Sequence, residues 1–273
     1  MLSREKTFTK EVHMKRIALI TLALLFSLVN LSHAARYKVV EVKNGGTIKG
    51  KVKTAVSVKD PTIPINISPK EKPEDAKKIR EVCGTSQKAN MYLVSPAGEV
   101  KNVFVIVLGV KQGKAAPKKD LVIDNTKCAF DPLVGIAYVK SKYVIKNSDP
   151  ILHNTSLGKI VRKGVRRTVY NLALPHKGQI IKKKNRVSGL IDVKCDAHSW
   201  MRAYVYSSKH PYVAITDEKG NFEIKDLPPG KYKVKFWHEG FQEVVKEIEV
   251  KPGVNTLNVT FTKTRKPAFM SRL

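Results

Sequence analysis

Cys195, His198 and Met201 recur at intervals of three along Lys194-Cys195-Asp196-Ala197-His198-Ser199-Trp200-Met201. A thiolate, an imidazole and a thioether at that spacing are soft or borderline donors. They suit a copper ion that exchanges one electron. Such a site takes two imidazoles and a thiolate in one plane, with the thioether as a weak axial contact. Thiolate and thioether favour Cu(I) and imidazoles suit Cu(II), so the compromise lets the ion change charge with little rearrangement. Copper also outcompetes zinc for such donors by the usual order of divalent affinities. The motif lacks one imidazole, which must come from elsewhere in the chain. Of the seven histidines, His13 and His33 lie in the first 34 residues, leaving His153, His176, His198, His210 and His238. His176, His210 and His238 sit among lysines or prolines and read as surface or structural. His153 is the best second imidazole. Trp200 and Tyr204 read as aromatic packing.

The cysteines point the same way. Lys15 and Arg16 precede an uncharged apolar run from Ile17 to Leu31, and Ser32-His33-Ala34 supplies small residues beyond it. That is the pattern of a secretory signal peptide over residues 1–34, and the run is short against the about 20 apolar residues of a membrane span. Met14 is a second candidate start. No later stretch spans a bilayer, so the expected location is periplasmic or secreted. Three cysteines cannot all pair within one exported chain, and a free thiol there meets oxidants. The economical arrangement joins Cys83 to Cys128 in a disulfide and leaves Cys195 as a thiolate guarded by a metal.

Elements must then position these residues. Tyr143 to Asn147 reads as a strand running into the turn formers Ser148-Asp149-Pro150, with His153-Asn154 just beyond. Leu190 to Lys194 is the strand expected to deliver Cys195, and Arg202 to Tyr206 the strand leaving Met201. Together these segments resemble the cupredoxins, the plastocyanin and amicyanin family. They have the Asn-x-Asp segment (Asn147, Asp149), the His153-Asn154 pair and the short Cys-x-x-His-x-x-Met loop that looks most like amicyanin. The resemblance covers about residues 140–206. It implies one type 1 copper ion held by His153, Cys195, His198 and Met201, with Asn154 tying the two ligand loops together. The Cys83-Gly84 and Cys128 segments are not part of a minimal cupredoxin.

Asn102 to Val110 reads as a buried strand, and Gly46 to Val52 alternates well enough for another. Residues 58–82 are Pro-rich and charged, with at most one short helix near Glu74–Val82. Gln112 to Lys119 is a Lys/Pro-rich loop. Further on, Thr216-Asp217-Glu218-Lys219-Gly220-Asn221-Phe222 and Leu227-Pro228-Pro229-Gly230-Lys231-Tyr232 resemble the carboxypeptidase regulatory-like domain, a small β-sandwich with a carbohydrate-binding-like fold, over roughly Ala203 to Phe261. The expected fold is all-β: a cupredoxin-like Greek-key β-sandwich over 35–208, a smaller β-sandwich over 209–263 and a basic tail over 264–273. Gly46–Val52 also suits the first strand of the smaller sandwich, with the copper region then inserted within it.

The net charge is +28, most of it before Lys209. Charge of that size bears on partners rather than on fold. No Asp or Glu occurs between Ile151 and Leu190, a stretch that joins the two ligand segments and carries Lys182, Lys183, Lys184 and Arg186. These four are the expected docking residues for an acidic extracytoplasmic redox protein such as a cytochrome. Export argues against a nucleic-acid partner. The chain has no Cys-x-x-Cys-His for haem, no His-x-His pairs, no Gly-rich phosphate loop and no Gly-x-Ser-x-Gly elbow. It reads as a binding protein and not as an enzyme. Three functions fit: a one-electron carrier, copper storage without turnover, and a cell-surface interaction or carbohydrate-binding protein.

Overall fold

The computed structural model describes residues 37–162, 165–266 and 270. The signal segment expected over 1–34 lies outside the described residues, as does much of the basic tail. Among the described residues no helix is long and apolar enough to cross a membrane.

The first sandwich faces a five-stranded sheet against a four-stranded one. The former runs Val165–Leu174, His153–Arg162, Gly189–Lys194, Arg202–Ser208 and Val134–Tyr138; the latter runs Ile180–Lys184, Lys142–Asn147, Leu121–Thr126 and Ala129–Asp131. Neighbours that are not consecutive in sequence, including the parallel pairing of Arg202–Ser208 with Val134–Tyr138, mark the Greek-key crossovers. Alternation sets the inner faces. Tyr143, Ile145 and Asn147 turn inward from one strand, and Ile191 and Val193 from another, because successive strand side chains point to opposite faces.

The second sandwich is built from strands on both sides of the first. One sheet runs Val213–Ile215, Phe104–Leu108, Gly230–Trp237 and Val244–Val250. The other runs Asn221–Leu227, Gly46–Thr54 and Gly253–Thr256, with Val259–Phe261 also paired to Gly46–Thr54. Its core holds Ile48, Val52, Val105, Phe222, Val234, Phe236 and Phe261. The expected boundary between 208 and 209 therefore does not separate the sheets. Gly46–Thr54 and Phe104–Leu108 pair with strands from Val213 onward, and the first sandwich lies between these partners in sequence as an insertion. Gly50 must be glycine, because a Cβ there would collide with the Leu257 carbonyl.

The two sandwiches meet through a shared apolar layer. Phe104, Ile106, Val213 and Trp237 from the second pack against Tyr204 of the first, with Leu190, Val134 and Ile136 around them. Full burial of side chains of this size stabilises by about 1.5–3 kcal/mol each. Beside that layer Arg202 and Glu239 form a buried two-pronged ion pair at 2.7 and 2.6 Å, and Arg202 also donates to the Ala89 carbonyl at 2.9 Å.

The Pro-rich excursion is more ordered than its composition implies. Thr62–Pro64 pairs with Ser86–Lys88, and a helix spans Pro73–Cys83 between them. Pro73 opens the helix, Glu74 and Asp75 sit in its first turn, and Gly84 closes it at φ 76°. Ile63, Ile65, Ile79, Ala89 and Met91 enter the same core cluster as Cys195, Trp200 and Met201. The excursion thus covers the end of the first sandwich that carries the metal motif.

Candidate metal centre

Asn147 shapes the first ligand loop from within. Its buried side-chain amide donates to the carbonyls of Ile151 (2.8 Å) and Leu174 (2.9 Å), while its oxygen accepts the Asp149 N–H (3.0 Å). This turn sets Asp149 beneath His153, the first residue of the strand His153–Arg162. The Asp149 carboxylate accepts the N–H groups of Lys127 (2.7 Å) and Cys128 (2.8 Å) and meets His153 Nε2 at 2.9 Å. Burial alone would raise the Asp149 carboxyl. The bond from His153 and those from the two backbone amides outweigh it and hold the group below its ordinary value. An imidazole that gives Nε2–H to a carboxylate presents Nδ1 as a lone pair.

That Nδ1 faces the second ligand loop. His153 Nδ1 lies 3.0 Å from His198 Nδ1, and Cys195 Sγ lies 3.7 Å from the same His198 nitrogen. Cys195 leaves the strand Gly189–Lys194, and Met201 precedes the strand Arg202–Ser208, so two paired strands hold both ends of the loop. Within the loop, the Met201 N–H donates to the His198 carbonyl at 3.1 Å. His153, Cys195, His198 and Met201 are all at most 3 % exposed. Burial, then the neighbouring His153, lowers the His198 pKa to about 4, which keeps its imidazole neutral and able to ligate. Burial raises the Cys195 thiol, against backbone N–H groups that favour its anion; the Asn154 N–H reaches Sγ at 3.3 Å.

The donor set fits a single ion. Nitrogen and thiolate donors stand about 2.0–2.3 Å from a first-row ion of this kind, so three in a plane around it lie roughly 3.5–4 Å apart. Donor atoms of His153, Cys195 and His198 lie within 4.8 Å of one another. Met201 is buried in the same hydrophobic core as Cys195.

Asn154 spans the two loops, accepting the Asp196 N–H at 3.2 Å and donating to Asn171 at 2.6 Å. Cys83 and Cys128 are joined, with Cα atoms 5.4 Å apart. Trp200 packs on the His198 ring at 4.8 Å and donates to the Cys128 carbonyl at 3.2 Å. Tyr204 lies in the layer between the sandwiches. His176 is exposed, whereas His210 and His238 are half-buried and buried among aromatic rings, and none of the three joins the cluster. Asp149 stood in the sequence as part of the Asn-x-Asp segment, but the motif reading gave it no role, and its contact with His153 comes from the structure.

The expected docking residues lie elsewhere. Ile180 pairs with Lys146 near the ligand loops, but Lys184 pairs with Lys142 at the far end of that strand. Beyond it, Asn185 bonds to Tyr138 and Ser207, which are remote from the metal loops. The segment Lys182–Arg186 thus runs away from the site, and Lys183 turns to the opposite face from Lys182 and Lys184 because strand side chains alternate. At the metal end itself Leu152 is 47 % exposed, and Lys127 and Lys177 are exposed nearby.

Residues 203–263 match the carboxypeptidase regulatory-like domain. No curated protein matches the chain. Among solved structures, a purple cupredoxin from Nitrosopumilus maritimus is 21 % identical, covering 33 % of this chain and 100 % of its own, with a TM-score of 0.28. The amicyanin of Paracoccus versutus is 19 % identical over 34 % of this chain and 85 % of its own, also at 0.28. A Cu(I) form of an amicyanin mutant is 21 % identical over 33 % and 82 %, at 0.27. The first matched strand, Arg202–Ser208, pairs within the first sandwich, and Gly46–Thr54 and Phe104–Leu108 complete the second. The chain is therefore one β-sandwich inserted into a second, and residues 203–263, which match the carboxypeptidase regulatory-like domain, supply one strand to the first and most of the strands of the second.

Proposed function

We propose that this chain is an exported type 1 copper protein that carries single electrons between extracytoplasmic redox partners. The observation that carries the reading is the convergence of His153 Nδ1, His198 Nδ1 and Cys195 Sγ in a buried site, with Met201 buried at the end of the same loop. Copper held there would supply one-electron exchange between Cu(I) and Cu(II). The protein's own groups do the rest. Asp149 fixes the His153 tautomer, the Asn154 N–H favours the Cys195 thiolate, and the turn from His198 to Met201 would offer the Met201 thioether as a further donor. All four residues are buried, which limits their relaxation toward solvent.

Exchange with a partner needs a close approach, and the metal end is the short path. We place docking at the exposed Leu152, with Lys127 and Lys177 attracting an acidic redox protein. The test is reconstitution of residues 35–273 with one equivalent of Cu(II). An intense visible sulfur-to-copper band, a narrow-hyperfine electron-paramagnetic spectrum and a reversible potential are expected. Stoichiometric but colourless binding would leave storage as the function. Absence of stoichiometric copper would leave a cell-surface interaction protein.

A further inference from the structure

His153 stands between two sets of donors. Its Nδ1 faces Cys195 and His198, and its Nε2 faces Asp149. On that second side a third donor lies within reach: Cys128 Sγ, an Asp149 oxygen and a His153 nitrogen are all within 4.8 Å of one another, and all three residues are buried. Cys128 is wholly buried and spends its thiolate in the bond to Cys83, which is partly exposed. We propose that reduction of the Cys83–Cys128 disulfide opens a second metal site, formed by Cys128, Asp149 and His153, that takes a borderline divalent cation such as zinc. The site shares His153 with the copper reading but does not rest on it.

The exposure of the two sulfurs sets the direction of the chemistry. A thiolate of an external dithiol attacks Cys83 Sγ, the accessible sulfur. The S–S bond breaks, and its electron pair leaves with Cys128 Sγ. The second thiol of the reductant then displaces the mixed disulfide, releasing the Cys83 thiol and closing the reductant as a disulfide. Two electrons and two protons have passed from dithiol to protein. Inside, a thiolate now faces a carboxylate that already holds two amides and an imidazole. Two buried anions so close repel one another and favour protonation or a cation. A thiolate, an imidazole and a carboxylate are each ordinary zinc ligands. Binding therefore displaces the Cys128 proton to solvent and requires the His153 proton to move from Nε2 to Nδ1, and reduction and metal uptake become linked.

The test uses Co(II) as the probe in full-length chains carrying Cys195→Ser, so that its outcome is separate from that of the copper reconstitution. Oxidised Cys195→Ser protein should show no thiolate-to-Co(II) band. After reduction and removal of the dithiol it should show one, saturating at one equivalent. Adding Cys83→Ser should give the band without any reductant. Adding Cys128→Ser instead, which leaves Cys83 free, should abolish it. Asp149→Asn in the Cys83→Ser, Cys195→Ser chain should weaken Co(II) binding by about tenfold or more. A reduced chain that keeps its native near-ultraviolet dichroism yet gives no band would overturn the proposal, as would an equal band in the Cys128→Ser chain. If reduction unfolds the protein, so that neither the reduced chain nor the Cys83→Ser chain keeps native dichroism, the site does not form and the proposal falls on that result.

Discussion

At the scale of single residues, each donor has a separable consequence. Cys195→Ser should remove the visible charge-transfer band even where copper still binds, because a hydroxyl is a poor soft ligand; an unchanged absorption spectrum would refute the assignment. Met201→Gln should keep the colour and lower the potential, as read by voltammetry, since the axial ligand tunes it. Asp149→Asn should keep the colour and weaken copper affinity by about 10–100-fold in a competition with a chelator, the range found when the partner of a ligand histidine is altered. The candidate quartet could be named because Cys, His and Met declare their chemistry by type, and the structure brings the donor atoms of His153, Cys195 and His198 together. Asp149 was visible as part of the Asn-x-Asp segment but its role was not, because that role depends on a turn that Asn147 closes and on two amides from a distant hairpin, Lys127 and Cys128. Nor does sequence reveal which side of His153 meets which partner.

Elements tell a different story about what can be read. The strands expected over Leu190–Lys194 and Arg202–Tyr206, flanking the metal motif, appear as Gly189–Lys194 and Arg202–Ser208, and the short helix expected near Glu74–Val82 spans Pro73–Cys83. The excursion's packing was hidden, because its prolines mask the alternation of Ile63, Ile65 and Ile67, and Ile79 is a lone buried residue on a charged helix. Its staple should matter. The Cys83–Cys128 bond closes a loop of 45 residues, and its loss should cost ~4 kcal/mol in the chain-entropy model, whose mechanism is disputed; denaturant titration of Cys83→Ser against the parent measures it. The Arg202–Glu239 pair is the other clamp. Burial pushes the Glu239 carboxyl up while Arg202 pulls it back, so the pair's net worth is small although breaking it is not. Glu239→Gln should destabilise by about 3–5 kcal/mol, and Arg202→Met with Glu239→Leu should restore much of the loss. Equal losses for the single and double variants would show that the ion pair itself, and not an orphaned charge, sets the stability.

For the whole molecule, charge and protonation set the observables. Reversing Lys127 and Lys177 to Glu should slow electron exchange with an acidic partner, and the slowing should fade as ionic strength rises. Reversing Lys182 and Lys184 should have a smaller effect, since they point away from the metal end. Equal slowing by both pairs would show that docking is diffuse. Stability of the metal-free chain should also fall with acid in a defined window. Burial holds His198 and His210 at about 4 and His238 at about 3, below the ordinary 6.5. As the pH drops through about 6.5 the unfolded chain takes up these protons and the folded chain does not, so the contribution is complete above that value and is lost on the way to 4. Urea midpoints should decline between pH 7 and 5, and His238→Phe should flatten the decline. The overall architecture was only partly legible for a related reason. The strand Gly46–Thr54 was readable as suiting the smaller sandwich, but not its register with Asn221–Leu227 and Gly253–Thr256, nor the place of Phe104–Leu108 in the facing sheet.

That insertion orders events in time. Ile48 waits for Ile224 and Val52 for Val259, while every strand of the inner sandwich lies between Leu121 and Ser208. A chain emerging N-terminus first holds a complete inner sandwich before the outer one can close, and a strand left unpaired meanwhile is a hazard for association. A folded insert also shortens the effective gap between Phe104–Leu108 and Val213–Ile215, lowering the entropic cost of bringing them together. Pulse-labelled hydrogen exchange during refolding should protect Ile191 and Val193 before Ile48 and Val52.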